Sequence, residues 1–178
     1  MTAVSWTGPF GRWGATRAEA ATPLACDAEL PDPDQVLARA IDVDAPVEHV
    51  FRWLCQLRAA PYSYDWLDNG GRRSPRALTP GLEQLEAGQR VMRIFELVAF
   101  EPGRSLTVVH HGPVFGDIAG TYRVTPAGPG TSRILVRLLA RYPRGPLGIV
   151  LSLALPAGDL VMMRKQLRTL RDLASAAG

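Results

Sequence analysis

Near the end of the chain, apolar residues recur at steps of three and four: Leu160, Met163, Leu167, Leu170 and Ala174. That spacing sets them on one face of an α-helix, with Arg164, Lys165, Arg168, Arg171 and Asp172 on the others. The pattern predicts a helix over Leu160–Ala176, capped by Asp159 after a break at Pro156–Gly158. At about 1.5 Å per residue it is ~25 Å long and needs a surface of matching length. A second helix is predicted at Pro46–Arg58, striped by Val47, Val50, Phe51, Leu54 and Leu57 and closed by Pro61. Elsewhere the segments read as strands: Val36–Val43, Arg90–Phe100, Leu106–His111, Gly116–Thr125 and Ser132–Tyr142. Turn signals at Glu101–Arg104 and Pro126–Gly130 join the last four into antiparallel hairpins. The class is α+β.

Strand parity assigns faces. Ile134, Val136, Leu138 and Ala140 should point inward, and Arg133, Leu135, Arg137, Leu139 and Arg141 outward. Pairing Thr125 with Thr131 across the second turn sends Tyr122 and Val124 inward. Pairing Phe95 with His110 across the first sends Leu106, Val108 and His110 inward together with Val91, Arg93, Phe95 and Leu97.

Two stretches lack a period. Residues 1–34, rich in Ala, Gly, Pro and Thr, read as an irregular arm with a short helical turn at Ala15–Ala21, pinned by Trp6 and Trp13. The domain proper is then 35–178. Residues 59–89 form a long loop carrying Tyr62, Tyr64 and Trp66, then Asn69-Gly70-Gly71, then Arg72, Arg73 and Arg76. Loops of such length in a compact domain are often functional.

Composition narrows the function classes. A net charge of +3, from 20 basic and 17 acidic residues, is too weak to argue for nucleic acid. Cys26 and Cys55 are isolated, so no metal spacing exists, and Cys55 among apolar residues reads as a buried thiol. The run Leu147–Leu155 is the most apolar, but Pro156 and Asp159 interrupt it before it reaches bilayer-spanning length. With no secretory leader pattern, a soluble cytoplasmic protein is expected. No nucleophile elbow, phosphate loop, dinucleotide fingerprint or zinc motif occurs, and no cofactor is implied.

Several short stretches occur in a telling order: Arg12–Thr16, Arg39–Phe51, Pro61–Leu67, Pro80–Gly88, Phe100–Arg104 and Met162–Leu167. On these the chain resembles the SRPBCC superfamily (START, Bet v 1-like, polyketide cyclase/dehydrase). The resemblance implies a helix-grip fold, in which a curved antiparallel sheet wraps a long C-terminal helix around an internal apolar cavity. It does not imply a reaction, since the superfamily includes binders, transporters and enzymes.

A binder of a small hydrophobic or amphipathic molecule is the first expectation. Its ligand-binding residues would be Tyr62, Tyr64 and Trp66 at the mouth, with Phe95, His110, Tyr122, Met163 and Leu167 lining the interior. Met92, Met162 and Met163 read first as core filler but would suit an adaptable apolar pocket. The alternative is a cyclase- or dehydratase-like enzyme. Its candidate catalytic residues are His110, Tyr122 and Arg93, which would move a proton or stabilise an enolate. A protein-interaction module is the third reading and calls for a large exposed apolar patch. For His110 and Arg93 the plainer expectations are a satisfied strand-end histidine and an arginine that reaches water.

Overall fold

A computed structural model describes residues 10–176. The chain runs β1 (Arg12–Trp13), α1 (Arg17–Ala21), α2 (Cys26–Glu29), β2 (Gln35–Val43) and α3 (Val47–Cys55). A 3-10 turn (Gln56–Arg58) and α4 (Asp65–Asp68) follow. Then come β3 (Arg90–Val91), β4 (Phe95–Glu101), β5 (Ser105–Gly112), β6 (Gly116–Gly128), β7 (Thr131–Arg141) and α5 (Pro146–Ser175). The strands form one sheet in the order β1-β2-β7-β6-β5-β4-β3, antiparallel except for the β1/β2 pair. α5 lies across β2 and α3.

The principal core fills the space between the sheet and the two long helices. Leu97, Leu106, Val108, Tyr122, Val124, Ile134 and Val136 meet Phe51, Trp53 and Leu54 of α3 and Met163, Leu167, Leu170 and Ala174 of α5. Parity therefore assigns this face correctly, although the turn differs. Thr125 pairs with Arg133 rather than Thr131, because an irregularity at Pro126–Gly128 absorbs the extra residues. The slip is an even number, so no side chain changes face. In β4 a bulge between Leu97 and Ala99 does change parity: Phe100 joins the principal core and Val98 turns to the other face.

Three expectations are corrected. First, the C-terminal helix does not start at Leu160; α5 is continuous from Pro146, with Pro156 in its interior. An internal proline removes one helical hydrogen bond and costs roughly 3 kcal/mol, but Pro156 is buried, and packing holds the helix together. Asp159 is consequently no N-cap. The interruption expected to disqualify Leu147–Leu155 from spanning a bilayer is absent, and α5 alone among the described residues is long and apolar enough to cross one. Gly148, Pro156 and Asp159 instead face the domain.

Second, Arg90–Phe100 is two strands, because Met92 and Arg93 adopt left-handed backbone angles (φ 46° and 69°) and break the ladder. Third, the arm does more than the irregular structure with a helical turn at Ala15–Ala21 expected of it: besides α1, which matches that turn, it supplies β1 and α2 and covers the outer face of the sheet, with Ala20, Leu24, Cys26 and Leu30 over Leu135, Leu139, Val109 and Ala119. Arg137 faces outward as expected and is buried beneath the arm, donating to Asp27 Oδ2 and to the carbonyls of Ala20 and Thr22. Trp13 lies under the guanidinium groups of Arg164 and Arg168, 5.4 and 5.8 Å from its ring, which ties the arm to α5. Trp6 falls outside the described residues. Both thiols are free and buried, and burial pushes Cys26 up to about 11 and Cys55 to about 12.

Candidate ligand site between sheet and C-terminal helix

Two side chains put polar atoms deep in the principal core. Tyr122, inward on β6, donates to Gln166 Oε1 of α5 at 2.8 Å. Gln166 Nε2 in turn donates to the Pro61 carbonyl at 2.7 Å and lies 3.2 Å from Met92 Sδ. The Tyr122 hydroxyl is also 3.6 Å from Met163 Sδ and 3.8 Å from Met92 Sδ. Its burial holds its pKa well above the ordinary tyrosine value, so at neutral pH it is a hydrogen-bond donor and not a base.

Three loops and strands deliver these groups. The loop after α3 bends at Tyr62, whose left-handed φ of 56° is costly for a ring-bearing residue. That bend turns the Pro61 carbonyl to Gln166 and buries the Tyr62 ring edge-on against Trp53, with centroids 6.2 Å apart. The Tyr62 hydroxyl is buried without a hydrogen-bond partner among the described residues, and burial pushes its pKa up to about 12. Ser63 donates to the Met162 carbonyl at 3.2 Å, which fixes the loop to α5. The left-handed turn at Met92 and Arg93 brings Met92 in from the opposite side, held by its amide to the Leu57 carbonyl at 2.9 Å.

The structure gathers some of the residues expected from sequence and separates others. Tyr62, Tyr122, Met163 and Leu167 belong to the principal core, and Phe95 packs on its edge. Tyr64 is half-buried, but Trp66 is 74% exposed on α4 and lines no interior surface; it sits on the outer face of its short helix. His110 shares the inward face with Tyr122. However, its strand position is four residues beyond Leu106, the cross-strand partner of Tyr122, which is roughly 13 Å along the strand. There His110 Nδ1 is 2.9 Å from the Ile94 carbonyl, between the rings of Phe95 and Phe115. It is a satisfied histidine at the sheet rim. Arg93 is exposed, not inward, because the chain has left the strand before reaching it and parity no longer applies. The trio His110, Tyr122 and Arg93 therefore does not converge.

Two residues escaped notice although the sequence carried a signal. Gln166 falls on the apolar stripe, three residues after Met163 and four before Leu170, where a polar side chain needs a buried partner. Arg39 falls on the inward parity of β2 with Leu37, Ile41 and Val43. It is buried, pairing with Asp159 of α5 at 2.7 Å and donating to the Gly11 and Ala38 carbonyls. Burial raises Asp159 to about 6 even against Arg39. This pair fixes α5 to the sheet beside the site.

No family model matches the chain, and no curated protein matches it. Solved structures do. The hypothetical protein jhp0584 of Helicobacter pylori superposes with a TM-score of 0.54 at 12% identity, over 86% of this chain and 96% of its own. A solution structure from Thermobifida fusca gives 0.52 at 13% identity, over 79% and 93%. Protein MLL2253 of Mesorhizobium loti gives 0.51 at 16%, over 81% and 99%. The chain shares the helix-grip fold of these structures. At these identities the likeness concerns the fold alone, and the matched region covers nearly the whole length of each neighbour. Among the described residues no cluster of three His, Cys, Asp or Glu side chains is placed to hold a metal ion.

Proposed function

We propose that this SRPBCC-fold chain binds a small hydrophobic or amphipathic molecule between its sheet and α5. The observation that carries the reading is that one apolar core holds both the buried Tyr122–Gln166 pair and a Tyr62 hydroxyl that is buried with no hydrogen-bond partner among the described residues. An apolar pocket with a few placed polar groups is what orients such a ligand, and an unpaired buried hydroxyl is costly unless a ligand or water meets it. Met92 and Met163 are the unbranched side chains able to move aside for it. Tyr62, Tyr122, Gln166 and Met163 would contact the ligand, with Phe95 at the edge. Catalysis is not part of the reading, since Tyr122 and Gln166 are both neutral and His110 lies far along the strand. The buried free thiols fit a reducing, cytoplasmic setting.

The test is native mass spectrometry of the protein as purified, with extraction of whatever remains bound. A stoichiometric apolar adduct, weakened in Tyr122→Phe and Gln166→Leu and kept in His110→Ala, is the expected result. A protein that binds no apolar molecule sinks the proposal.

One observation favours the interaction-module reading. Leu147, Ile149, Val150 and Leu153 on α5 are 46–74% exposed, which makes an apolar patch on the surface. The paired substitution Ile149→Asp and Leu153→Asp removes that patch without touching the interior. Under the ligand reading the adduct survives it.

A further inference from the structure

Beside the ligand site a cleft of about 370 Å³ is lined by Ala59, Asn69, Arg72, Arg73, Pro75 and Arg93. Three of these six residues are arginines and none is acidic. Ion pairs elsewhere engage Arg39, Arg52, Arg104, Arg133, Arg137, Arg141 and Arg171. Arg72, Arg73 and Arg93 have no carboxylate partner among the described residues. Three like charges around one concavity repel one another, an arrangement that an anion relieves.

The cleft is built rather than incidental. Asp65 accepts from the Ser74 amide and hydroxyl at 2.8 and 2.5 Å, and Asn69 Nδ2 donates to the Arg72 carbonyl at 2.5 Å. These bonds clamp the loop that presents Arg72 and Arg73. Gly70, at φ 61°, lets Arg93 approach: a Cβ there would lie 3.2 Å from Arg93 Nη1. Arg93 itself holds a left-handed φ of 69°, a strained conformation for a residue with a side chain. Asp68 and Glu96, the acidic residues nearest in sequence to Arg72 and to Arg93, do not line the cleft, and both carboxylate oxygens of Asp68 are buried.

The same strained turn faces two ways. Met92 reaches Gln166 and Tyr122 inside, and the next residue, Arg93, lines the cleft outside. We infer that the cleft holds the anionic head group, carboxylate or phosphate, of an amphipathic ligand whose apolar tail passes Met92 into the interior. This rests on the ligand-binding reading above and names the ligand class. Arginine forks suit both anions because they donate two parallel hydrogen bonds to either.

The experiment compares dodecanoate, dodecyl phosphate, dodecanol and inorganic phosphate by calorimetric titration. Wild type is set beside R72Q/R73Q/R93Q, with Arg104→Gln, on a distant exposed turn, as control. All three cleft arginines are exposed, so the triple variant keeps the core, and circular dichroism verifies this. The expected result is that the two anionic amphiphiles bind at least about tenfold tighter than dodecanol, a difference of about 1.4 kcal/mol. The triple variant should lose that preference and keep dodecanol binding, while Arg104→Gln changes nothing. Equal binding of dodecanoate, dodecyl phosphate and dodecanol, or a preference that survives in the triple variant, overturns the head-group assignment and leaves the ligand reading standing. Phosphate binding without any amphiphile binding overturns the amphiphile. Failure of all four probes overturns both.

Discussion

From Pro146 to Leu155, α5 carries the most apolar sequence in the chain, yet Leu147, Ile149, Val150 and Leu153 are largely exposed. From Met163 to Ala174 it carries Arg164, Lys165, Arg168, Arg171 and Asp172, yet Met163, Leu167, Leu170 and Ala174 are 7% exposed or less. The difference is what lies opposite. The second half faces the sheet and α3, and its amphipathic pattern matches that one-sided contact. The first half touches the domain through small or compact residues: Gly148 against Tyr142 and Pro143, then the buried Pro156. Hydrophobicity measures the gain from burial; periodicity indicates where burial occurs. Here the two disagree, and periodicity marks the core.

Four predictions break or sharpen this comparison, from the largest effect to the smallest. Arg39 pairs with Asp159 at the junction of the halves, so Arg39→Ala leaves a buried carboxylate without its cation and should cost about 3–5 kcal/mol at pH 8. At pH 5 the cost should be smaller, because Asp159 can then take up a proton. Denaturant titrations at the two pH values check both statements, and a loss independent of pH would contradict the role given to Asp159.

Leu167→Ala should cost about 2–5 kcal/mol, whereas Leu153→Ala in the exposed half should stay within about 0.5 kcal/mol of wild type. Comparable losses in chemical denaturation would show that the first half is packed as tightly as the second.

Gly148→Ala probes a close contact of the first half. A Cβ there would sit 1.8 Å from the Pro143 carbonyl oxygen, so backbone must shift, at about 1–3 kcal/mol. Hydrogen exchange should report the loosening before Pro156 and leave Met163–Ala174 protected. Uniform loss of protection along α5 would mean the halves unfold as one unit.

The smallest effect is a slope. Asp159 is held at about 6, above its ordinary 3.8, so the folded chain keeps this proton where the unfolded chain has lost it. Its contribution to stability therefore falls as pH rises from about 4 to about 6, and is flat above. Glu19, held down to about 2 from 4.5 mainly by its hydrogen bond from Arg133, has the opposite sign: its contribution rises between those values. Melting temperatures across pH 4–7 should lose the falling component in Asp159→Asn. An unchanged profile would rule out Asp159 as its source.

Much of the site's frame was legible in the residues. Tyr122, Met163 and Leu167 face inward because period-two and period-3.6 patterns survive small register errors. Gln166 and Arg39 were legible in principle, as polar residues on apolar positions. Trp66 and Arg93 were not, since Trp66 lies on a four-residue helix too short to show a period and Arg93 in a left-handed turn where parity has no meaning. The arm over the outer face was legible only in its turn at Ala15–Ala21, for another reason. Its two helices are each under six residues, too short to form alone, and they stand because the sheet supplies the apolar surface beneath them.

By itself, then, the sequence determined the α+β class, the hairpin order, the face of each central strand and the buried stripe of the last helix. Each is a local periodicity written into neighbouring residues. Only the tertiary structure decided that α5 runs through Pro156, that Asp159 meets Arg39 across 120 positions, and that Arg72, Arg73 and Arg93 share one cleft. Those outcomes depend on contacts between distant segments, where packing and burial outweigh the local preference for a break, a cap or a solvated loop.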